Sequence, residues 1–240
     1  MKTEELAQEN FDRCLAQNPY PGRGLVIARS TEDRWIILYW IMGRSVQSRN
    51  RRFVADGGIL RTEPVDSSLM ADPSLIIYDA MLELPDIFLV SNGDQTRTMY
   101  EALQSGGTIE EALGKREREP DAPNFTPRIS GVLSFKEPTV TGILSILKAN
   151  PLDPACTDHF FYRPSMPRAG FGVGLTTYRG DGNPLPSFEG EPLLLPCVGR
   201  VEEVLERYWS ALNADNRVSM AAKEISDQGK RSELFVRNRF

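Results

Sequence analysis

The sequence predicts an α+β fold of antiparallel sheets, arranged as a single domain over residues 1–240. Three observations indicate this class. Short apolar runs bounded by turn residues recur along the chain, as they do in hairpins. The helical segments stand apart from these runs and do not alternate with them, which argues against a parallel α/β fold. The chain has no internal repeat, low-complexity tract or clear linker that would divide it.

The chain begins with a predicted helix and continues into a predicted hairpin. Residues 3–17 have amphipathic spacing, and Asn18-Pro19-Tyr20-Pro21-Gly22 ends that helix. Residues 24–30 and 35–42 are predicted strands joined by the turn Thr31-Glu32-Asp33-Arg34. The second strand is apolar on both faces, so we expect both faces to be covered.

The remaining strands are predicted from shorter runs. They cover residues 59–62, 74–82, 86–90, 127–135, 139–147, 160–162, 170–178 and 233–236. The run 139–147 is ambiguous between strand and helix. Glycine alternates with other residues in 170–178, as in a strand that passes close to a ligand or to a neighbouring backbone.

Helical periodicity predicts four more helices, over residues 95–105, 108–113, 201–213 and 216–228. Thr108 and Glu111 match a capping box at the start of the second of these. We therefore expect an N-terminal helix within residues 1–18 and a C-terminal helical extension over 200–240, both packed on the one domain.

Composition excludes several classes of function. A net charge of −5 is unlike that of a general nucleic-acid binder. Three widely spaced cysteines and a single histidine, His159, do not suit a disulfide framework or a typical zinc site, so we expect a reducing, cytoplasmic compartment. The longest apolar run is Trp35–Met42, whereas a membrane span needs about 20 residues. The N-terminal stretch does not have the pattern of a signal peptide.

The most basic segment follows directly after the second predicted strand. It reads Gly43-Arg44-Ser45-Val46-Gln47-Ser48-Arg49-Asn50-Arg51-Arg52. Arginine presents a planar fork of donors that matches phosphate or carboxylate, and the interleaved hydroxyl and amide side chains suit phosphate and sugar hydroxyls. The alternative is a solvated loop in a chain where 22 of the 28 basic residues are arginine.

Four further segments carry polar groups. They are Tyr20-Pro21-Gly22-Arg23-Gly24, Leu75-Ile76-Ile77-Tyr78-Asp79, Ser91-Asn92-Gly93-Asp94-Gln95-Thr96 and the stretch from Glu119 to Arg128. Taken singly, each is more readily explained as a turn, a core tyrosine, a helix cap or a charged surface loop.

Taken together, these motifs resemble the archaeal-type IMP cyclohydrolase family, in the family's order and at similar spacing. They are Tyr20-Pro21-Gly22-Arg23, Gly43-Arg44-Ser45 with Arg49-Asn50-Arg51, Ser91 to Thr96, and Asn124-Phe125-Thr126-Pro127-Arg128-Ile129. The resemblance implies an Ntn-hydrolase-like fold, a four-layer α-β-β-α sandwich of antiparallel sheets. It also implies that 5-formamidoimidazole-4-carboxamide ribotide closes its ring with loss of water to give IMP, without a metal or cofactor.

The resemblance further implies a set of site residues. Tyr78 would donate to the formyl oxygen or relay its protons, Glu119 would orient or deprotonate the carboxamide, and Arg44 would stabilise developing negative charge. Asp94 and Asp121 remain alternatives to Glu119 as the general base. The residues expected to hold phosphate, ribose and base are Tyr20, Arg23, Ser45, Asn50, Arg51, Asn92, Gly93, Asp94, Asn124, Thr126 and Arg128.

Two other functions remain open at this point. A non-catalytic protein could keep the same pocket and bind a purine ribotide. A nucleic-acid-binding module could use the arginine run, although the net charge opposes it. We expect neither a nucleic-acid nor a membrane partner, and the aromatic residues from Phe160 to Tyr162 are candidates for contacts between copies of the chain.

Overall fold

The apolar runs of the sequence form two antiparallel sheets, seen in a computed structural model that describes residues 2–69, 77–136 and 138–240. The strands are β1 (Gly24–Arg29), β2 (Trp35–Met42), β3 (Arg52–Asp56), β4 (Ile59–Glu63), β5 (Asp79–Leu84), β6 (Ile87–Ser91), β7 (Arg128–Ser134), β8 (Thr141–Ala149), β9 (Thr157–Tyr162), β10 (Phe171–Thr176), β11 (Leu193–Pro196), β12 (Arg217–Ser226) and β13 (Arg231–Asn238). One sheet has the order β11-β10-β1-β2-β12-β13, and the other runs from β3 to β9 in chain order.

Most of the helices cover the outer faces of the two sheets. They are α1 (Thr3–Phe11), which continues as a π-helical turn through Asp12–Ala16, α2 (Val46–Arg49), α3 (Gln95–Gln104), α4 (Ile109–Leu113) and α5 (Val201–Ala211). α1 and α5 pack on the six-stranded sheet, and α3 and α4 pack on the seven-stranded sheet. A third apolar cluster fills the space between the sheets. The predicted four-layer α-β-β-α sandwich is therefore confirmed, while likeness to the Ntn hydrolases stays a prediction.

β2 shows how the sequence produces this layering. Its side chains alternate between the outer cluster, with Leu38 and Trp40, and the inner cluster, with Ile37 and Tyr39. All four are buried. The expectation that both faces of this strand are covered is confirmed, because β2 lies between β1 and β12 in the middle of its sheet.

The helix predicted over residues 216–228 is wrong, and so is the helical character of the C-terminal extension beyond α5. Residues 217–226 form β12, which pairs with β2 and β13. Ala221 and Ala222 are good helix formers, but they face opposite apolar layers here. Burial on two faces of a central strand outweighs the small difference in intrinsic helix propensity.

The other differences are local. β3 and β11 were not predicted, because β3 is charged and short and β11 is a four-residue strand ending in proline. The strand expected over 74–82 begins at Asp79 in the described part of the chain, and residues 74–76 lie outside it. The ambiguous run 139–147 is a strand, and the capping box of Thr108 and Glu111 is confirmed.

Candidate active site

A cavity of about 520 Å³ opens at the end of the sandwich where β1 begins and β2 ends. Its volume falls within the range of about 300–1,000 Å³ that is usual for small-molecule sites. It is lined by Tyr20, Gly22, Arg23, Met42, Arg44, Ser45, Gln47, Ser48, Arg51, Glu119, Asp121, Ala122, Asn124, Thr126, Tyr178 and Leu185. Three arginines and two carboxylates therefore face one space. Three of the four motifs carrying the family resemblance contribute to its lining.

Arg23 and Glu119 form a buried ion pair at this cavity. Arg23 Nη2 donates to Glu119 Oε2 at 2.9 Å, and both side chains are less than 10% exposed. Burial opposes the charge on Arg23, but the neighbouring Glu119 carboxylate holds the pKa of the guanidinium well above its usual value. The pair is therefore a fixed pair of charges, and no described donor reaches the second oxygen of Glu119.

The motif from Ser91 to Thr96 lies behind this pair and supports it. The main-chain oxygen of Asn92 accepts from Arg23 Nη1 at 2.9 Å. The Asn92 side-chain amide is bonded to the segment that leads into β7, through Pro127 O at 2.8 Å and Ile129 N at 2.8 Å. Asn92 is fully buried. It positions Arg23 and is not part of the cavity lining.

Arg128, Asp94 and Gly93 form the next layer of this support. Arg128 Nη1 donates to Asp94 Oδ1 at 2.8 Å and to Gln95 Oε1 at 2.9 Å. A Cβ on Gly93 would lie 2.7 Å from Arg128 Nη1, so a side chain there would displace the guanidinium. Burial opposes ionisation of Asp94, but bonds from Arg116 and Arg128 outweigh it and lower the pKa of that carboxyl. These three predicted ligand contacts therefore lie outside the cavity lining.

The arginine run divides between the cavity and its surroundings. Ser45 caps α2, because its hydroxyl accepts from Ser48 N at 3.1 Å. Arg44 lies over the Tyr20 ring, with its guanidinium carbon 4.9 Å from the ring centroid, and pairs with Asp181. Arg51 is buried and donates to the main-chain oxygens of Ser48 and Met42, at 3.0 and 3.3 Å.

The other members of the run have partners elsewhere. Arg49 donates to Gly43 O at 2.9 Å, and Arg52 pairs with Glu63 at 3.6 Å. The Asn50 amide donates to the main-chain oxygen of Asp66 at 2.7 Å and accepts from its main-chain nitrogen at 2.8 Å. Asn50 was expected to contact the ligand. The structure instead uses its amide to hold the segment after β4.

Tyr78 lies deeper than its predicted role requires. Its hydroxyl is 2.7 Å from the hydroxyl of Tyr39, and both tyrosines are buried. Burial, together with Tyr78, raises the pKa of Tyr39 well above its usual value. Tyr78 is absent from the described lining of the cavity.

Tyr20 and Tyr178 form an aromatic wall with a chain of hydroxyls behind it. Their rings stack with centroids 5.9 Å apart. The Tyr178 hydroxyl lies 2.5 Å from Thr126 Oγ1, which lies 2.5 Å from Asp121 Oδ2. In the same loop, Asn124 Oδ1 accepts from Leu185 N at 3.0 Å. Thr126 and Asn124 both line the cavity, and their contact with a ligand stays a prediction.

Sequence reasoning missed Tyr178, which lines the cavity, and Asp181, which pairs with the lining residue Arg44. Tyr178 follows the strand of alternating glycines, whose cause is close packing against a neighbouring strand. A Cβ on Gly172 would lie 2.7 Å from the Ala28 side chain. Tyr178 could have been found as the aromatic residue that ends this strand, whereas Asp181 lies in an irregular loop with no such signal.

Two searches of the described residues gave no site. Residues 2–69, 77–136 and 138–240 contain no group of three or more His, Cys, Asp or Glu side chains placed to hold a metal ion. Within the same ranges, no helix has the length and apolar character needed to cross a membrane.

Comparison with known proteins gives two matches. The family described as IMP cyclohydrolase-like protein matches residues 20–229. The IMP cyclohydrolase of Methanothrix thermoacetophila is 31% identical over 133 residues, which are 52% of this chain and 62% of that protein. The aligned part thus spans less than two thirds of the relative.

Proposed function

Because this chain belongs to the IMP cyclohydrolase-like protein family, we propose that it closes the ring of 5-formamidoimidazole-4-carboxamide ribotide, with loss of water, to form IMP. The observation that carries the proposal is that three arginines and two carboxylates line the same cavity. They are Arg23, Arg44, Arg51, Glu119 and Asp121. An arginine-rich wall suits a phosphate, and carboxylates suit the N–H groups of a carboxamide.

Two sets of lining residues suit two parts of the substrate. Arg51, Ser45 and the neighbouring Ser48 present cationic and hydroxyl groups, which match a ribotide phosphate. Glu119, Asn124 and Thr126 present acceptors and an amide, which match the substituted imidazole ring. We therefore infer that the phosphate lies against Arg51 and Ser45, and that the reacting groups lie beside Glu119 and Arg44.

Ring closure needs positioning and proton transfer. The carboxamide nitrogen bonds to the formyl carbon, the formyl oxygen gains negative charge, and this oxygen leaves as water. Its two protons come from the carboxamide nitrogen and the formamido nitrogen. Glu119, held by Arg23, orients the carboxamide through its second oxygen, and Arg44 stabilises the charge on the formyl oxygen. Tyr78 lies behind this group, where its hydroxyl bonds to that of Tyr39.

The experiment is a direct assay of the purified chain. Incubated with the formamido ribotide, the protein is expected to form IMP at the same rate with and without EDTA, because no proposed step uses a metal. Chromatography of the product measures the rate, and calorimetry measures IMP binding. Folded protein that binds IMP but forms none would instead be a non-catalytic ribotide-binding protein. Folded protein that does neither would contradict both.

A further inference from the structure

Tyr178, Thr126 and Asp121 form a continuous hydrogen-bonded chain that ends at the cavity. The two links, Tyr178 to Thr126 and Thr126 to Asp121, are each 2.5 Å long. Tyr178 and Thr126 are buried, and all three residues line the cavity. The first link joins two loops, because Thr126 and Tyr178 are 52 positions apart in sequence.

The two hydrogen bonds that link Tyr178, Thr126 and Asp121 point in the same direction. An ionised carboxylate only accepts hydrogen bonds, so the single proton of the Thr126 hydroxyl points to Asp121. The Tyr178 proton must then point to Thr126 Oγ1, because Thr126 has no second proton to donate. The lone pairs of the Tyr178 oxygen are left available to a ligand. Toward the cavity, Tyr178 is therefore an acceptor.

Glu119, the neighbouring carboxylate, has a different hydrogen-bond partner from Asp121. Glu119 accepts from Arg23 at 2.9 Å, so one of its oxygens is already bonded to a cation. Asp121 accepts from Thr126 through both oxygens, since Thr126 N also donates to Oδ1 at 2.7 Å. No described cation forms an ion pair with Asp121 within the salt-bridge distance of 4.0 Å. Of the two carboxylates, Asp121 is the one bonded to the Tyr178–Thr126 hydroxyl pair.

We propose that Tyr178, Thr126 and Asp121 are the proton relay of ring closure, with Tyr178 as the group that contacts the substrate. This rests on the proposed function. As the carboxamide nitrogen bonds to the formyl carbon, its proton passes to the Tyr178 oxygen, the phenolic proton passes to Thr126, and the Thr126 proton passes to Asp121. The chain then runs in reverse and delivers one proton to the formyl oxygen. The proton of the formamido nitrogen follows by the same route, and water leaves.

Three variants test the relay. Tyr178→Phe keeps the ring that stacks on Tyr20 and removes the hydroxyl. It is expected to lower kcat by about 10²–10⁴ with KM little changed, the usual range for loss of a positioned proton-transfer group. Thr126→Val breaks the chain in its middle at constant side-chain shape, and a loss of the same order is expected. Thr126→Ser restores the hydroxyl and is expected to recover most of kcat.

The double variant Tyr178→Phe/Thr126→Val separates a relay from two independent contacts. Residues that act as one unit show strongly non-additive losses, so the double variant is expected to be no slower than Tyr178→Phe alone. IMP affinity, measured by calorimetry, is expected to change far less than kcat in every variant. Tyr100→Phe, on the outer helix α3, is the matched control for removal of a tyrosine hydroxyl.

The outcomes distinguish the relay from the reaction. Wild-type protein that forms no IMP contradicts the proposed function, and the relay with it. Active wild-type protein whose variants keep the wild-type kcat contradicts the relay alone. Losses that multiply in the double variant, or that appear as weaker IMP binding at unchanged kcat, also overturn the relay, because they indicate a structural role for the loop.

Discussion

At the scale of single residues, the Arg23–Glu119 pair matters for geometry more than for stability. Removing two charges from water costs several kcal/mol, and their mutual attraction only roughly repays that cost. The pair provides a carboxylate with one oxygen bonded to Arg23 and the other available to a ligand in the cavity. A site that must hold a carboxylate in a fixed orientation has a reason to keep such a pair. A core built only for stability would replace it with apolar residues.

The variant Arg44→Ala tests whether the arginine run contributes to catalysis. We expect Arg44→Ala to lower turnover by about 10²–10³, the usual effect of removing one donor to a developing oxyanion. Arg52→Ala is the matched control, because it removes an arginine of the same run that pairs with Glu63 away from the cavity. Steady-state kinetics of both variants decide the point. Equal rates for the two would make Arg44 a peripheral residue.

Part of the site could be predicted because its residues lie close together in sequence. Arg44, Ser45 and Arg51 fall within eight consecutive positions, so composition alone drew attention to them. Tyr178 could not be found in the same way, since only the fold brings it to the cavity, and only the fold brings Asp181 to Arg44. Tyr78 and Asn50 were predicted as contacts because a resemblance identifies positions and does not reveal which way a side chain points.

At the scale of elements, β12 shows why local preference is an insufficient guide. Its sequence favours a helix, yet it lies between β2 and β13, and its apolar side chains join both the outer and the inner layer. α4, in contrast, was predicted correctly because its capping box is a local interaction that needs no tertiary partner. The strands that were missed are short edge segments, where neither periodicity nor apolar content distinguishes a strand from a loop.

Asn238 joins the edges of the two sheets. Its side chain accepts from Phe53 N at 2.8 Å and donates to Phe53 O at 3.0 Å, so β13 meets β3 through one amide. Asn238→Ala leaves both main-chain groups without this partner, and we expect the free energy of unfolding to fall by about 1–3 kcal/mol. Urea denaturation measures it. Asn238→Asp keeps the acceptor and loses the donor, so its free energy of unfolding should lie between those of the wild type and Asn238→Ala. An unchanged denaturation midpoint for Asn238→Ala would show that water replaces the amide.

At the scale of the whole molecule, Lys223 connects the two sheets through the core. It is a β12 residue with a side chain only 1% exposed, and its Nζ donates to Glu83 Oε2 on β5 at 2.6 Å. It also donates to Gly58 O in the β3–β4 turn at 2.5 Å. Burial lowers the pKa of Lys223, and the Glu83 carboxylate only partly offsets that effect. The charge is therefore held in the core at a cost.

That cost has a predictable dependence on pH. The ordinary pKa of lysine is about 10.4 and the folded value is lower, so between the two the unfolded chain binds more protons than the folded chain. The free energy of unfolding should therefore rise with pH across that interval, by at most about 1.4 kcal/mol per pH unit from this group. Below the folded pKa, both states are protonated and the contribution is constant.

The variant Lys223→Met isolates this contribution. Denaturation of both proteins from neutral pH toward pH about 10 is expected to show the wild type gaining stability relative to Lys223→Met as pH rises. Lys230→Met, at an exposed lysine, is the control and should show no such trend. A difference that shrinks with rising pH would mean that the ion pair with Glu83 outweighs burial.

The cavity draws Arg23 and its two carboxylates from different sheets. Arg23 leads into β1, while Glu119 and Asp121 lie in the loop before β7. A molecule that contacts both sides binds only a chain whose sheets are packed together, so it adds its binding free energy to folding. At one hundred times its Kd this is about 2.7 kcal/mol, which lowers the unfolded fraction roughly a hundredfold. The lifetime of this protein against cellular proteases should thus follow the supply of its own ligand.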